Sequence, residues 1–158
     1  MIYEEKNTLD KEFCNDMISW FENKIISGKT GDSFANTSNE IRNDLSISSC
    51  NAFGSFKSFY TKINPIINKH VKNYLKELKA GQGYYNITGW KLQKSEKGGG
   101  YYKWHSELPI FYPHWNTVRE RFGVWMIYLN DTDTGYTDFY HQNLSVKPET
   151  GKLVIWPA

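Results

Sequence analysis

The spacing of apolar residues changes once along this chain, at Gly81-Gln82-Gly83, and that change restricts the fold more than any other feature. Before it, large apolar side chains recur every three or four residues, the repeat of a helix with one buried face. After it they alternate or run together in short blocks, the pattern of strands. A chain that places its helices first and its strands afterwards segregates them, giving an α+β domain.

The helical half has two stretches. Asp10 can cap a helix over about 11–27, with Phe13, Met17, Trp20, Phe21 and Ile25 on its inner side and Gly28 as its stop. A second stretch runs from about Phe56 to Lys79, with Phe59, Ile63, Ile67, Val71, Tyr74 and Leu78 on the inner face. Asn64-Pro65 interrupts it, so it is either two helices or one kinked helix. Between them, 28–55 is rich in Gly, Ser, Asn and Thr and reads as loop with room for one edge strand.

In the second half the expected strands are Tyr84–Lys94, Tyr101–Ser106, Phe122–Leu129, Thr137–Tyr140 and Lys152–Trp156, with a short one at Ser145–Val146. Gly98-Gly99-Gly100 reads as a turn, as do Asn130-Asp131 and Asp133-Thr134-Gly135. Phe122–Leu129 is apolar almost throughout, which suits a central strand covered on both faces. No internal repeat is present. The order predicts a β-sandwich or jelly-roll core.

At 158 residues, with 39% hydrophobic and 23% charged residues, the chain is long and apolar enough for one globular domain with its own core. A net charge of +2 and the lack of a basic stripe interleaved with aromatics argue against nucleic acid. Lys69, Lys72, Lys76 and Lys79 read as a solvated helix face. Two cysteines, Cys14 and Cys50, make no disulfide framework and fit a cytoplasmic protein. The N-terminus lacks the regions of a signal peptide, and no apolar run reaches membrane-spanning length.

The segment with chemistry in it is Tyr101-Tyr102-Lys103-Trp104-His105-Ser106-Glu107. On a regular strand His105 and Glu107, at i and i+2, share a face, and one metal ion can take both. Two imidazoles and one carboxylate on one face of Fe(II) leave three positions open for substrates. By themselves the two residues are also consistent with a surface histidine beside an acid.

Their context carries more weight. Tyr102 stands three residues before His105. Arg121 leads a strand ending Tyr128-Leu129-Asn130-Asp131. Then come Thr134-Gly135-Tyr136-Thr137-Asp138-Phe139 and Val146-Lys147-Pro148-Glu149-Thr150-Gly151, followed by an apolar strand ending Trp156-Pro157-Ala158. This order resembles the prolyl 4-hydroxylase-like branch of the Fe(II)/2-oxoglutarate-dependent dioxygenases, over nearly the whole chain and most firmly over 84–158.

The resemblance implies a double-stranded β-helix, a jelly-roll or cupin-like core, with N-terminal helices packed on one sheet. It implies one domain over 1–158, helical over about 8–80 and jelly roll over about 84–158. The activity it implies is C–H hydroxylation of a peptide or small molecule by O₂, coupled to conversion of 2-oxoglutarate to succinate and CO₂, with L-ascorbate admitted as an auxiliary. His105 and Glu107 become iron ligands, and Tyr102, Arg121 and Tyr128 line the co-substrate pocket. Read as residues, Tyr102 is also an ordinary half-buried strand tyrosine and Arg121 a strand-end salt-bridge partner.

The pattern departs in two places. Glu107 stands where most of the branch has Asp, and the extra methylene moves the carboxylate outward by roughly an ångström or more. The branch places its distal histidine and its basic 2-oxoglutarate residue after the Pro-Ala turn. Neither His114, in the loop Phe111-Tyr112-Pro113-His114-Trp115, nor His141, after the strand Thr137–Tyr140, fills that position. The expectation is therefore a jelly roll incomplete at Ala158, with an iron site short of its last ligand and a final strand left as an open sheet edge. Two other readings stand beside this one: a non-catalytic jelly-roll binding module, and a cupin-like metalloenzyme that does not use 2-oxoglutarate. Trp104, Phe111, Tyr112 and Trp115 can rim a pocket or simply pack; substrate identity and oligomeric state are not legible.

Overall fold

Asp10 starts the first helix. Its Oδ1 accepts the N–H of Phe13 at 2.7 Å, filling one of the donors a helix start leaves open, and α1 runs Lys11–Ser27. The computed structural model describes residues 1–27, 33–38, 40–49, 57–80, 85–87, 90–107 and 121–158. Gly28, Cys50, Gly81–Gly83, Phe111, Tyr112, His114 and Trp115 lie outside the described residues. The chain is α+β, with two α-helices and antiparallel sheets among the described residues, in two compact units: Met1–Cys14 with Trp104–Ala158, and Asn15–Lys103.

In the unit Asn15–Lys103, the second helical stretch is one helix, α2 (Lys57–Glu77), with Pro65 inside it. Proline offers no N–H to the preceding turn, and the helix continues because its inner face is fully engaged: Phe59, Ile63, Ile67, Val71 and Tyr74 are all buried. The edge of the Phe59 ring meets Trp20 of α1, centroids 6.0 Å apart. Leu78, expected inside, is exposed instead. The reason is the helix end: Lys79 turns left-handed at φ 52°, and Ala80 N–H reaches back to Leu75 O and Lys79 N–H to Lys76 O, a Schellman closure that carries Leu78 off the inner face. Lys69, Lys72, Lys76 and Lys79 all face solvent.

The polar stretch after α1 holds two strands where one was expected. β2 (Ser33–Ser38) and β3 (Arg42–Ser49) form an antiparallel hairpin. β3 escapes its pattern because Asp44 and Ser46 are buried along with Ile47, so hydrophobicity does not alternate. β4 (Trp90–Lys94) and β5 (Gly100–Tyr101) both pair antiparallel with β3. The glycine-rich segment between them makes the expected turn, Gly99 N–H donating to Glu96 O at 2.7 Å, and the chain returns to the same partner strand. β4 is shorter than the expected strand from Tyr84: the register brings Trp90 opposite Ser49, the last residue of β3, and the Tyr85 hydroxyl instead donates to Asn68 O on α2.

The other unit is built on a three-stranded antiparallel sheet in the order β1 (Tyr3–Glu5), β9 (Leu153–Pro157), β6 (Gly123–Ile127). This corrects two expectations. The central strand is β9, with Leu153, Val154 and Ile155 buried, while every residue of β6 is half-buried and, among the described residues, β6 pairs with β9 alone. Nor is the last strand an open edge, since β1 pairs it through Tyr3↔Ile155, Glu4↔Val154 and Glu5↔Leu153. β1 was not expected because three residues, one of them apolar, carry no periodicity; β9 makes them a strand. β7 (Thr137–Phe139) and β8 (Leu144–Val146) form a separate hairpin across a short 3₁₀ turn, Tyr140–Gln142.

Gly151 joins these pieces. Its φ is +75°, and a Cβ there would lie 2.0 Å from Leu9 O. Its carbonyl accepts the N–H groups of Thr8 and Leu9, and its N–H donates to Tyr128 O. Beside it Lys152, a buried lysine, is satisfied three ways: Nζ pairs with Glu149, lies 3.8 Å from Glu4 Oε2 and donates to Lys147 O at 2.9 Å. Among the described residues no helix is long and apolar enough to cross a membrane.

Candidate functional site

The segment bearing His105 and Glu107 is not the strand expected of it. β5 ends at Tyr101; one further bond, Tyr102 N–H to Ile41 O, closes the pairing. β3 begins at Arg42, so nothing of that strand remains to pair with Lys103 and beyond. His105 and Glu107 therefore lie on irregular backbone, and strand alternation does not bring them together.

They converge all the same. His105 Nε2 lies 3.6 Å from Glu107 Oε1, and the other carboxylate oxygen, Oε2, accepts from Arg121 Nη1 at 3.2 Å. The same nitrogen donates to the Glu107 backbone carbonyl at 3.3 Å. All three side chains are partly open to solvent. Arg121 thus forms the salt bridge that its position before β6 suggested, and its partner is the carboxylate singled out as a ligand.

The spacing suits a metal ion. Two donors each about 2.1 Å from one ion stand about 3.0 Å apart at a right angle and about 3.4 Å apart at a tetrahedral angle. A separation of 3.6 Å needs to close by only a few tenths of an ångström for the wider angle. Imidazole and carboxylate together suit iron, zinc or manganese. Among the described residues no group of three or more His, Cys, Asp and Glu side chains is placed to hold a metal.

The other residues singled out have partners of their own. The Tyr102 hydroxyl donates to Gly98 O at 3.1 Å, and its ring is half exposed. The Tyr128 hydroxyl bonds Thr137 Oγ1 at 2.6 Å, joining two of the motif segments read in the sequence. Burial pushes the Tyr128 phenol up; the Thr137 bond acts against this, and the charges of Glu4 and Asp138 add to it. His141 sits on the exposed 3₁₀ turn, its ring against Tyr140. Trp104, beside His105 in sequence, rests edge-on against Tyr140 with centroids 5.4 Å apart, and both rings are largely exposed.

Arg121 as the holder of Glu107 is not legible in the sequence, which offers it only as a strand-end cation or a co-substrate residue; the two lie 14 residues apart. The Lys152 cluster was missed as well, because Lys152 reads as the polar lead of an apolar strand. No protein-family model matches the chain, and neither a curated protein nor a solved structure matches it.

Proposed function

We propose that the chain is an Fe(II)- and 2-oxoglutarate-dependent dioxygenase of the prolyl 4-hydroxylase-like kind, with a double-stranded β-helix core, hydroxylating a C–H bond of a peptide or small molecule. The observation that carries this reading is the convergence of His105 Nε2 and Glu107 Oε1 to 3.6 Å on backbone that does not impose it. The order of motifs from Tyr102 to Ala158 supports it, and the α+β architecture is compatible with it.

Iron, when bound, supplies the redox step that couples 2-oxoglutarate decarboxylation to hydroxylation. The chain's own residues bind and orient. His105 Nε2 and Glu107 Oε1 hold the metal, and Arg121 occupies Oε2. Tyr128, whose hydroxyl donates to Thr137, would contribute to the co-substrate site. The reading calls for a third metal ligand and a basic clamp besides these residues.

The test uses the protein as its gene encodes it. Mn(II) is titrated anaerobically under electron paramagnetic resonance. Fe(II), 2-oxoglutarate and O₂ are then supplied and succinate is measured. Binding that His105→Ala abolishes, with succinate formed, is the expected result. No metal binding refutes the proposal and leaves a jelly-roll binding module. Binding without 2-oxoglutarate turnover leaves a cupin-like metalloenzyme.

A further inference from the structure

Glutamate is an awkward metal ligand on an irregular segment. It has one more side-chain torsion than aspartate, and each free torsion must be frozen when the ion binds. Here the freezing is already done. Arg121 Nη1 donates at once to Glu107 Oε2, at 3.2 Å, and to the Glu107 carbonyl, at 3.3 Å. One nitrogen bonded to both ends of one residue closes a ring through every torsion of that side chain. It also takes one carboxylate oxygen out of use. The oxygen left over, Oε1, is the one that lies 3.6 Å from His105 Nε2.

We propose that Arg121 is the positioning residue that makes Glu107 a competent one-oxygen metal ligand, supplying the order that a shorter aspartate has by itself. The inference rests on the metal-site reading above. It explains how a glutamate can serve at this position: the added length is folded back and pinned. Ligating carboxylates are commonly held this way by an outer partner. A guanidinium is suited to the role because it stays charged and presents its donors in a fixed plane.

Two effects of Arg121 oppose each other. Its positive charge repels a divalent cation, while its bonds order the ligand. The charge sits on the far side of a carboxylate that neutralises it, at a site open to solvent that screens what remains. The ordering effect is local and unscreened, so ordering dominates.

The test is the Mn(II) dissociation constant, read by electron paramagnetic resonance without turnover. Arg121→Gln, confirmed folded by circular dichroism, weakens binding about 10- to 100-fold, the usual cost of losing an outer partner. Arg121→Lys recovers part of the loss. In a Glu107→Asp background, whose carboxylate falls short of Arg121, the Arg121→Gln change shifts the constant by no more than about threefold, because well-separated groups contribute independently. An unchanged constant in Arg121→Gln, or a tighter one, overturns the positioning role while the metal reading stands. Absence of binding by the unsubstituted chain overturns the metal reading, and this inference with it.

Discussion

Replacing Gly151 by alanine tests how the three-stranded sheet is held to the turn that precedes α1. Gly151 has φ +75°, a region that costs an L-residue about 1–2 kcal/mol. The new Cβ would also stand 2.0 Å from Leu9 O, and the obstacle is backbone, so the turn at Thr8 and Leu9 must move away. Moving it sacrifices the two bonds that Gly151 O accepts from their N–H groups, at 2.8 and 3.3 Å, each worth about 1 kcal/mol. Against this, alanine restricts the unfolded chain and returns about 0.4–1 kcal/mol. The net loss is about 2–4 kcal/mol, a large share of the stability of a domain this size. Gly135 provides the control: its φ is +74°, yet a Cβ there meets nothing within 4 Å, so Gly135→Ala carries the conformational cost alone, about 1 kcal/mol. Urea unfolding followed by tryptophan fluorescence includes the sheet among its reporters, since Trp125 lies in β6 and Trp156 in β9. Equal midpoints for the two variants would refute the argument from close approach.

Lys152→Ala strips Glu149 and Glu4 of a buried cation and should cost about 2–3 kcal/mol in urea, whereas Lys152→Met, which keeps the volume and leaves two carboxylates able to hydrate, should cost about 1 kcal/mol or less. Asp10→Ala removes the cap on Phe13 N–H and lowers stability by about 1 kcal/mol, seen as an earlier thermal midpoint. The pH profile of stability falls on both sides. Burial raises the Tyr74 and Tyr128 phenols, so their contribution is complete below the ordinary tyrosine value of about 10 and is lost as pH rises through the folded values. The Thr150 N–H bond lowers Asp131, so its contribution is present above the ordinary carboxylate value of about 4 and is lost as pH falls through the folded value; Asp131→Asn should flatten the acid limb. His105→Ala and Glu107→Ala should each abolish Mn(II) binding with the circular dichroism spectrum intact, and retained binding in either would remove that residue from the site.

What could be read in the sequence was what neighbouring residues decide among themselves. α1 has its expected bounds because Asp10 and the apolar repeat lie within a few positions of one another, and the hairpin of β7 and β8 falls where its turn residues put it. What could not be read depends on distant partners. β1 is a strand only because β9 lies beside it. β3 buries an aspartate and a serine, which no hydrophobic pattern reports. β6 outranks β9 in unbroken apolar length, yet β9 takes the centre because two strands flank it. At the candidate site the residues were legible and their arrangement was not: the strand argument that brings His105 and Glu107 together is one the backbone does not follow, and the pairing of Glu107 with Arg121 joins residues 14 positions apart.

The pairing of Tyr3–Glu5 with Leu153–Pro157 also sets an order of events during synthesis. A ribosome makes β1 long before β9, so this strand waits while the residues between them emerge. The unit Asn15–Lys103 is continuous and can assemble as it leaves the tunnel, whereas the other is made of two separate segments, Met1–Cys14 and Trp104–Ala158, and must wait for the second. Its sheet closes by the longest-range contact in the fold, the slowest kind to form. A nascent chain stalled before Leu153 therefore carries one finished unit and, ahead of it, a strand with nothing to join.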